Sequence, residues 1–215
     1  MWYYVSMSSD LSSAGRRVPQ QERASRRVTT FLDRAAELFA EVGYEAATMT
    51  VIAERSNASI GSVYQYFPDK EAVAQALTAR SREYIDSHVE PLIAAAPSLS
   101  AHEIAVRLID LMVGFYESHP EYLPLSEVRV KFARREEARH ELRSRLADAF
   151  TANNPKLTHA EAWLTGNVAL QIVKGFGVLY TPAPPAARPA IAAEFKTALS
   201  AYLATRLSDH QSPPV

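Results

Sequence analysis

The sequence predicts an all-α protein of about nine helices, three short ones followed by a longer series. Three observations carry that expectation. Ala, Leu, Glu and Arg dominate, whereas only 7 of 215 residues are Gly, and residues of the dominant kinds lose little freedom on entering a helix. Apolar residues recur at three- and four-residue steps, the spacing of one helix face. No stretch shows the strict alternation of a half-buried strand.

Residues 1–22, rich in Ser, Gln and Arg, read as a disordered basic arm. From Val28 onward, Phe31, Leu32, Ala35, Leu38, Phe39 and Val42 mark the buried stripe of a first helix, which Gly43 stops. Thr48 caps a second, short helix holding Val51, Ile52 and Ala53. Asn57 follows as a residue that tolerates the left-handed conformation of a tight turn. Ser59 caps a third helix that ends at Pro68, and Asp69 caps a fourth from about Lys70 to Val89, before Pro91. Further helices are expected over 100–118, 122–134, 136–152, 159–180 and 186–207, separated by prolines. The local chemistry changes near residue 70. That change divides the chain into a small domain over 23–70 and an Ala/Leu-rich domain over 71–208, with a disordered tail at 209–215.

Composition narrows the class of function. With 47% hydrophobic and 22% charged residues the chain can build a full core, and a formal net charge of −1 names no partner. There are no cysteines, which excludes disulfides and thiolate metal sites and suits a reducing cytoplasm. The opening MWYYV is too short for the apolar part of a signal peptide, and no uninterrupted apolar run of ~18 residues could span a membrane. A cytoplasmic protein is expected, with Met7 as an alternative start. Catalytic patterns are missing as well. The histidines at 88, 102, 119, 140, 159 and 210 form no i, i+4 pair, and the adjacent Glu136 and Glu137 would project about 100° apart on a helix. No nucleophile elbow, Gly-rich phosphate loop or dinucleotide fingerprint is present, so neither enzymatic activity nor a cofactor or metal is expected.

The stretch 48–66 carries the most specific signal. Two short helices joined by the turn Ser56–Ala58 have the form of a helix-turn-helix. Ile52, Ala53, Ile60 and Val63 would pack the pair onto the first helix, leaving Ser59, Gly61, Ser62, Gln65 and Tyr66 facing outward and Tyr64 near the edge. Small residues let a helix backbone enter a major groove, while hydroxyls, amides and phenols reach phosphates and base edges. Five arginines, Arg16, Arg17, Arg23, Arg26 and Arg27, face only Glu22 over residues 16–27 and make a basic arm ahead of the first helix. Lys70, at the start of the fourth helix, adds a cation to a helix N-terminus, which itself attracts anions. Alone, the Ser/Gly/Tyr stretch is a connector and the arginine stretch a solvated tail. In this order and spacing they point to double-stranded DNA.

Residues 43–73, GYEAATMTVIAERSNASIGSVYQYFPDKEAV, strongly resemble the helix-turn-helix of the TetR family of transcriptional regulators. The resemblance reaches back through RVTTFLDRAAELFAEVGY, so it covers about 50 residues. It implies a homodimeric, ligand-responsive repressor that binds a near-palindromic operator and holds a small molecule in a variable helical C-terminal domain. By the same resemblance, phosphate contacts fall on Thr48, Tyr64 and Lys70, and Thr50, Ile60, Gly61, Ser62, Gln65 and Tyr66 face the bases. Arg27 and Ser59 complete the expected DNA-binding set. Two departures from the family pattern stand out. Asn57 replaces the usual Gly, and Ile60 and Gly61 offer no side-chain hydrogen bond. Base reading then leans on Thr50, Ser62, Gln65, Tyr66, thymine methyl groups and DNA shape.

Beyond residue 73 the resemblance is architectural only. Within segment 159–180, residues 163–180 carry few charges, and Gly166, Gly175 and Gly177 would admit a partner helix closely. Segment 186–207 aligns Ile191, Phe195, Leu199, Tyr202 and Leu203, and together the two segments are the expected homodimer interface, as against ordinary core. An apolar or amphipathic effector would be lined by Tyr84, Met112, Phe115, Tyr116, Tyr122, Phe132, Trp163 and Gln171, a set that also reads as plain core. The doubly charged segment 131–145 reads as a solvated helix face. The rival class is a helical lipid-carrier or protein-interaction module with a vestigial helix-turn-helix, which salt-dependent binding to duplex DNA would exclude.

Overall fold

A computed structural model describes the backbone of residues 14–127 and 134–207, with side chains over 22–126 and 140–207. Among the described residues there are nine α-helices and no strand: α1 (Ala14–Ala46), α2 (Met49–Arg55), α3 (Ile60–Tyr64), α4 (Lys70–Ala95), α5 (Ala101–Ser118), α6 (Tyr122–Glu127), α7 (Arg134–Asn153), α8 (His159–Tyr180) and α9 (Arg188–Ala204). A 3₁₀ turn over Ala96–Ser98 links α4 to α5. Phe132 and the end of the helix expected over 122–134 lie outside the described residues.

Two compact units divide at residues 77 and 78, and α4 runs from one into the other, starting at the boundary near residue 70 that the sequence suggests. Segment 14–22, expected to be disordered, is the start of α1. Ala14, Arg16, Arg17, Gln20, Gln21 and Glu22 all favour helix, and Pro19 removes only the bond to the Gly15 carbonyl. Gly43 breaks α1 as expected: at φ 76° and ψ 170° it occupies a region essentially closed to other residues. Pro91 does not end α4, which continues to Ala95. Leu92 and Ala96 beyond it are buried, and their packing outweighs one lost backbone bond.

In the first unit Phe31, Phe39, Ile52, Val63, Val73 and Leu77 are buried, so α2 and α3 rest on α1 and the first turns of α4. The second unit has its own core, built around Ile104, Ile109, Phe150, Phe176, Leu199 and Leu203. Buried Asn153 ties α7 to the 3₁₀ turn by donating to the carbonyls of Ala96 and Leu99, both at 2.9 Å. Capping boxes at Ser100–Glu103 and Thr158–Glu161 satisfy the first amides of α5 and α8.

Candidate DNA-binding interface and effector domain

Local chemistry fixes the helix-turn-helix. Thr48 Oγ1 accepts from Val51 N at 3.3 Å to cap α2, and Ser59 Oγ accepts from Ser62 N at 3.2 Å to cap α3. Between them Asn57 takes φ 55°, the left-handed turn residue the sequence suggests. Ile52, Ala53 and Val63 are buried as expected, and so is Met49, which the sequence reading missed although it lies three residues before Ile52 on the same face. Ile60 departs from the packing role that its apolar character suggested: it is 38% exposed. It is the first residue of α3, ahead of buried Val63.

The expected DNA-facing residues fall into three groups. Thr48, Thr50, Ser59, Ile60, Gly61, Tyr64 and Gln65 are exposed, and Tyr64 is half uncovered. Arg27 reaches α3 from α1, with Nη1 at 3.5 Å from Ser62 Oγ, and a cleft of about 670 Å³ opens between these elements. Arg27, Ser59, Gly61, Ser62 and Gln65 line it. Tyr66 is corrected from outward to half-buried, because its ring meets Phe31 at 5.8 Å and joins the unit's core.

Lys70 is the clearest departure. Its Nζ donates to the carbonyls of Tyr44 (2.7 Å), Ala47 (2.9 Å) and Glu45 (3.1 Å), and lies 4.4 Å from the Tyr44 ring centroid. An ammonium has three hydrogens, and all three are taken here. Lys70 closes the exposed carbonyl end of α1 beyond the Gly43 break, and in this geometry has no hydrogen left for a phosphate.

Electrostatics favour the N-terminal face of α1. Further along, Glu37 is paired with Arg34 and Glu41 with Arg55, at 2.8 and 2.7 Å. The bond to Arg55 holds the Glu41 carboxyl below its ordinary range. Arg23, Arg26 and Arg27 are exposed, and Arg26 lies 4.0 Å from Glu22.

In the second unit, Tyr84, Phe115, Tyr116 and Tyr122 form one aromatic cluster, with Phe115 4.8 Å from Tyr122 and 5.8 Å from Tyr84. Phe115 and Tyr116 are buried, while Tyr84, Met112 and Tyr122 are partly so. Trp163 pairs with His140 instead, at 4.9 Å, and Gln171 is exposed on α8. The sequence reading missed His119, which is buried, stacks on Phe115 at 5.0 Å and lies edge-on to Tyr84. Its place one turn after Phe115 was the available signal.

Burial holds the His119 imidazole below its ordinary range, with a push in the same direction from Arg80, against the opposing effect of the Phe115 carbonyl. The fold therefore favours its neutral form. Below its unfolded value near 6.5 the unfolded chain binds the extra proton, so this contribution to stability is present above pH ~6.5 and lost as pH falls towards the depressed folded value. Urea titrations from pH 8 to 5 should show a loss of stability below pH ~6.5 that is shallower in His119→Gln. Parallel profiles would contradict this account.

On α9, Leu199 and Leu203 are fully buried within the chain, and α9 packs along α5 and α8. Two of the five residues of the stripe expected at a dimer interface are thus spent internally. The exposed large apolar residues of α8 are Leu164, Val178 and Leu179, at 61%, 59% and 57%.

No helix among the described residues is long and apolar enough to cross a membrane, and no group of three metal-ligating side chains occurs among them. Residues 31–77 match the model for bacterial regulatory proteins of the tetR family, and residues 100–203 match that for the tetracyclin repressor-like C-terminal domain. The transcriptional repressor KstR of Rhodococcus jostii is 40% identical over 78 residues, which are 36% of this chain and 33% of that protein. The A-factor receptor protein of Streptomyces griseus is 38% identical over 58 residues, covering 27% of this chain and 21% of its own. These alignments span a third or less of each relative's length. Among solved structures, PfmR of Thermus thermophilus superposes with a TM-score of 0.65 at 16% identity, covering 80% of this chain and 97% of its own. MbdR of Azoarcus gives 0.64 at 19%, covering 85% and 99%. Both structures share the fold. With its helix-turn-helix and its helical body each matched by a model of the same family, the chain belongs to the TetR family of bacterial regulatory proteins.

Proposed function

We propose that this protein is a ligand-responsive transcriptional repressor that binds a near-palindromic DNA site as a homodimer. The observation that carries the reading is the capped helix α3, held from below by Val63 while Ser59, Ile60, Gly61, Tyr64 and Gln65 remain exposed beside Arg27. Such a helix is shaped for a major groove, and the arginines at the start of α1 add the phosphate-directed charge. The repressor KstR, similar over 36% of this chain, supports the same reading. The exposed apolar residues Leu164, Val178 and Leu179 on α8 support a dimer formed mainly through that helix. The aromatic cluster around Phe115 supports an apolar or amphipathic effector in this unit. It lowers DNA affinity only by as much as it prefers the non-binding state. Repression, rather than activation, follows from the similarity to KstR, and a cytoplasmic location follows from the DNA target.

Selection of bound sequences from a random duplex pool tests the reading. Recovery of a two-fold symmetric motif, bound less tightly as salt rises, is expected. No enrichment over the pool would refute it and favour a helical carrier module. With a selected site in hand, Arg27→Ala should weaken binding to all sequences alike and reduce the salt slope by about 0.9 per half-site. Gln65→Ala should instead relax sequence choice, at a cost of about 1 kcal/mol per half-site. Fluorescence anisotropy over a salt series separates the two.

A further inference from the structure

We infer that Ile60 makes the DNA recognition of this protein sensitive to base methyl groups, by contacting the C5 methyl of thymine in the major groove. The inference rests on the proposed role of α3 as recognition helix. The outward surface of α3 has two unlike edges. Ser59, Ser62 and Gln65 line the polar cleft together with Arg27, whereas Ile60 and Tyr64 do not line it and remain 38% and 50% exposed. Ile60 is apolar, β-branched and stiff, and it is uncovered although Val63 and Phe67, three and seven residues further on, are buried.

Its neighbour Gly61 leaves room around it: a Cβ there would meet nothing within 4 Å, so no side chain at that position holds a groove away from Ile60. The hydroxyl of the preceding residue, Ser59 Oγ, already accepts a bond from Ser62 N. Ile60 can offer a base edge only an apolar surface. Among the base-edge groups of the major groove the thymine methyl is the one that offers a projecting apolar surface, the others being donors, acceptors or bare C–H. 5-Methylcytosine presents an equivalent methyl, so the same contact makes affinity respond to cytosine methylation at that position.

The test uses the full chain and a duplex selected from the random pool. Each thymine is replaced in turn by deoxyuridine, which deletes the methyl and preserves pairing. One position in each half-site should lose about fourfold in affinity, the worth of one buried methyl. 5-Methylcytosine there should recover a similar factor relative to cytosine. Ile60→Ala should remove both effects, and circular dichroism confirms that this exposed substitution leaves the fold intact. Tolerance of deoxyuridine at every position, or an unchanged deoxyuridine penalty in Ile60→Ala, overturns the inference while leaving α3 as the recognition helix. Loss of preference for the selected duplex over random duplex in the unaltered protein overturns the assignment of α3 itself.

Discussion

Lys70→Met is expected to lower stability by about 2–4 kcal/mol and to weaken DNA binding without changing its salt slope. The physical reason is the crowding of three carbonyls, of Tyr44, Glu45 and Ala47, around one ammonium. Those of Tyr44 and Glu45 belong to the last turn of α1, past the break at Gly43, and that of Ala47 to the link just beyond it, where carbonyls lack the amide partners of a continuing helix. Charged hydrogen bonds are worth ~1.5–3 kcal/mol each when protected, and partial exposure of Lys70 reduces their sum. Methionine keeps an apolar stem against Tyr44 and removes the donors, so the change reports the bonds and not the packing.

The same site orients the helix-turn-helix, because the segment Lys70 closes, 44–47, leads directly into the Thr48 cap of α2. Weakened DNA binding would then come from a misplaced α2 and α3, with the number of neutralised phosphates unchanged. Urea denaturation measures the first effect and binding over a salt series the second. A slope reduced by about 0.9 per half-site with stability intact would return Lys70 to the role of a phosphate ligand.

Lys70 also shows where sequence reading stops. Helix positions were legible because periodicity and caps are local: Thr48, Ser59, Asp69, Ser100 and Thr158 each accept from an amide three residues on. The partners of Lys70 lie 23 to 26 residues away and are backbone carbonyls, which no side-chain pattern records. Ile60 and Tyr66 fail for a related reason. Their character and spacing suggested one buried and one outward residue, but a five-residue helix has too little length for its period to fix which side α1 covers. The stripe on α9 was read correctly as apolar. Periodicity says that such a face is covered, not whether the cover is the same chain or a second copy, and Leu199 and Leu203 are covered from within.

The glycines of α8 bring that ambiguity to a measurement. Gly177→Ala is expected to cost about 2 kcal/mol, even though Ala gains ~1 kcal/mol over Gly in a helix. A Cβ at Gly177 would stand 2.1 Å from Tyr116 Oη and 2.3 Å from Cζ, well inside contact distance. The ring has little room to retreat. Tyr116 is buried, with Phe115 at 5.4 Å, Phe176 at 6.1 Å and Tyr122 at 6.3 Å around it, and burial pushes its phenol far above the ordinary range. At Gly175 the added Cβ would meet Phe195 at an ordinary 3.8 Å, so Gly175→Ala should be neutral or stabilising by up to ~1 kcal/mol. A double-mutant cycle with Tyr116→Leu isolates the cause, since removing the ring should make Gly177→Ala harmless. If Gly177→Ala instead left monomer stability intact and dissociated an oligomer on gel filtration, the glycine would serve a partner helix, as its sequence first suggested. The fit of Tyr116 against Gly177 favours the internal role: the close approach this glycine permits is already occupied by α5 of the same chain.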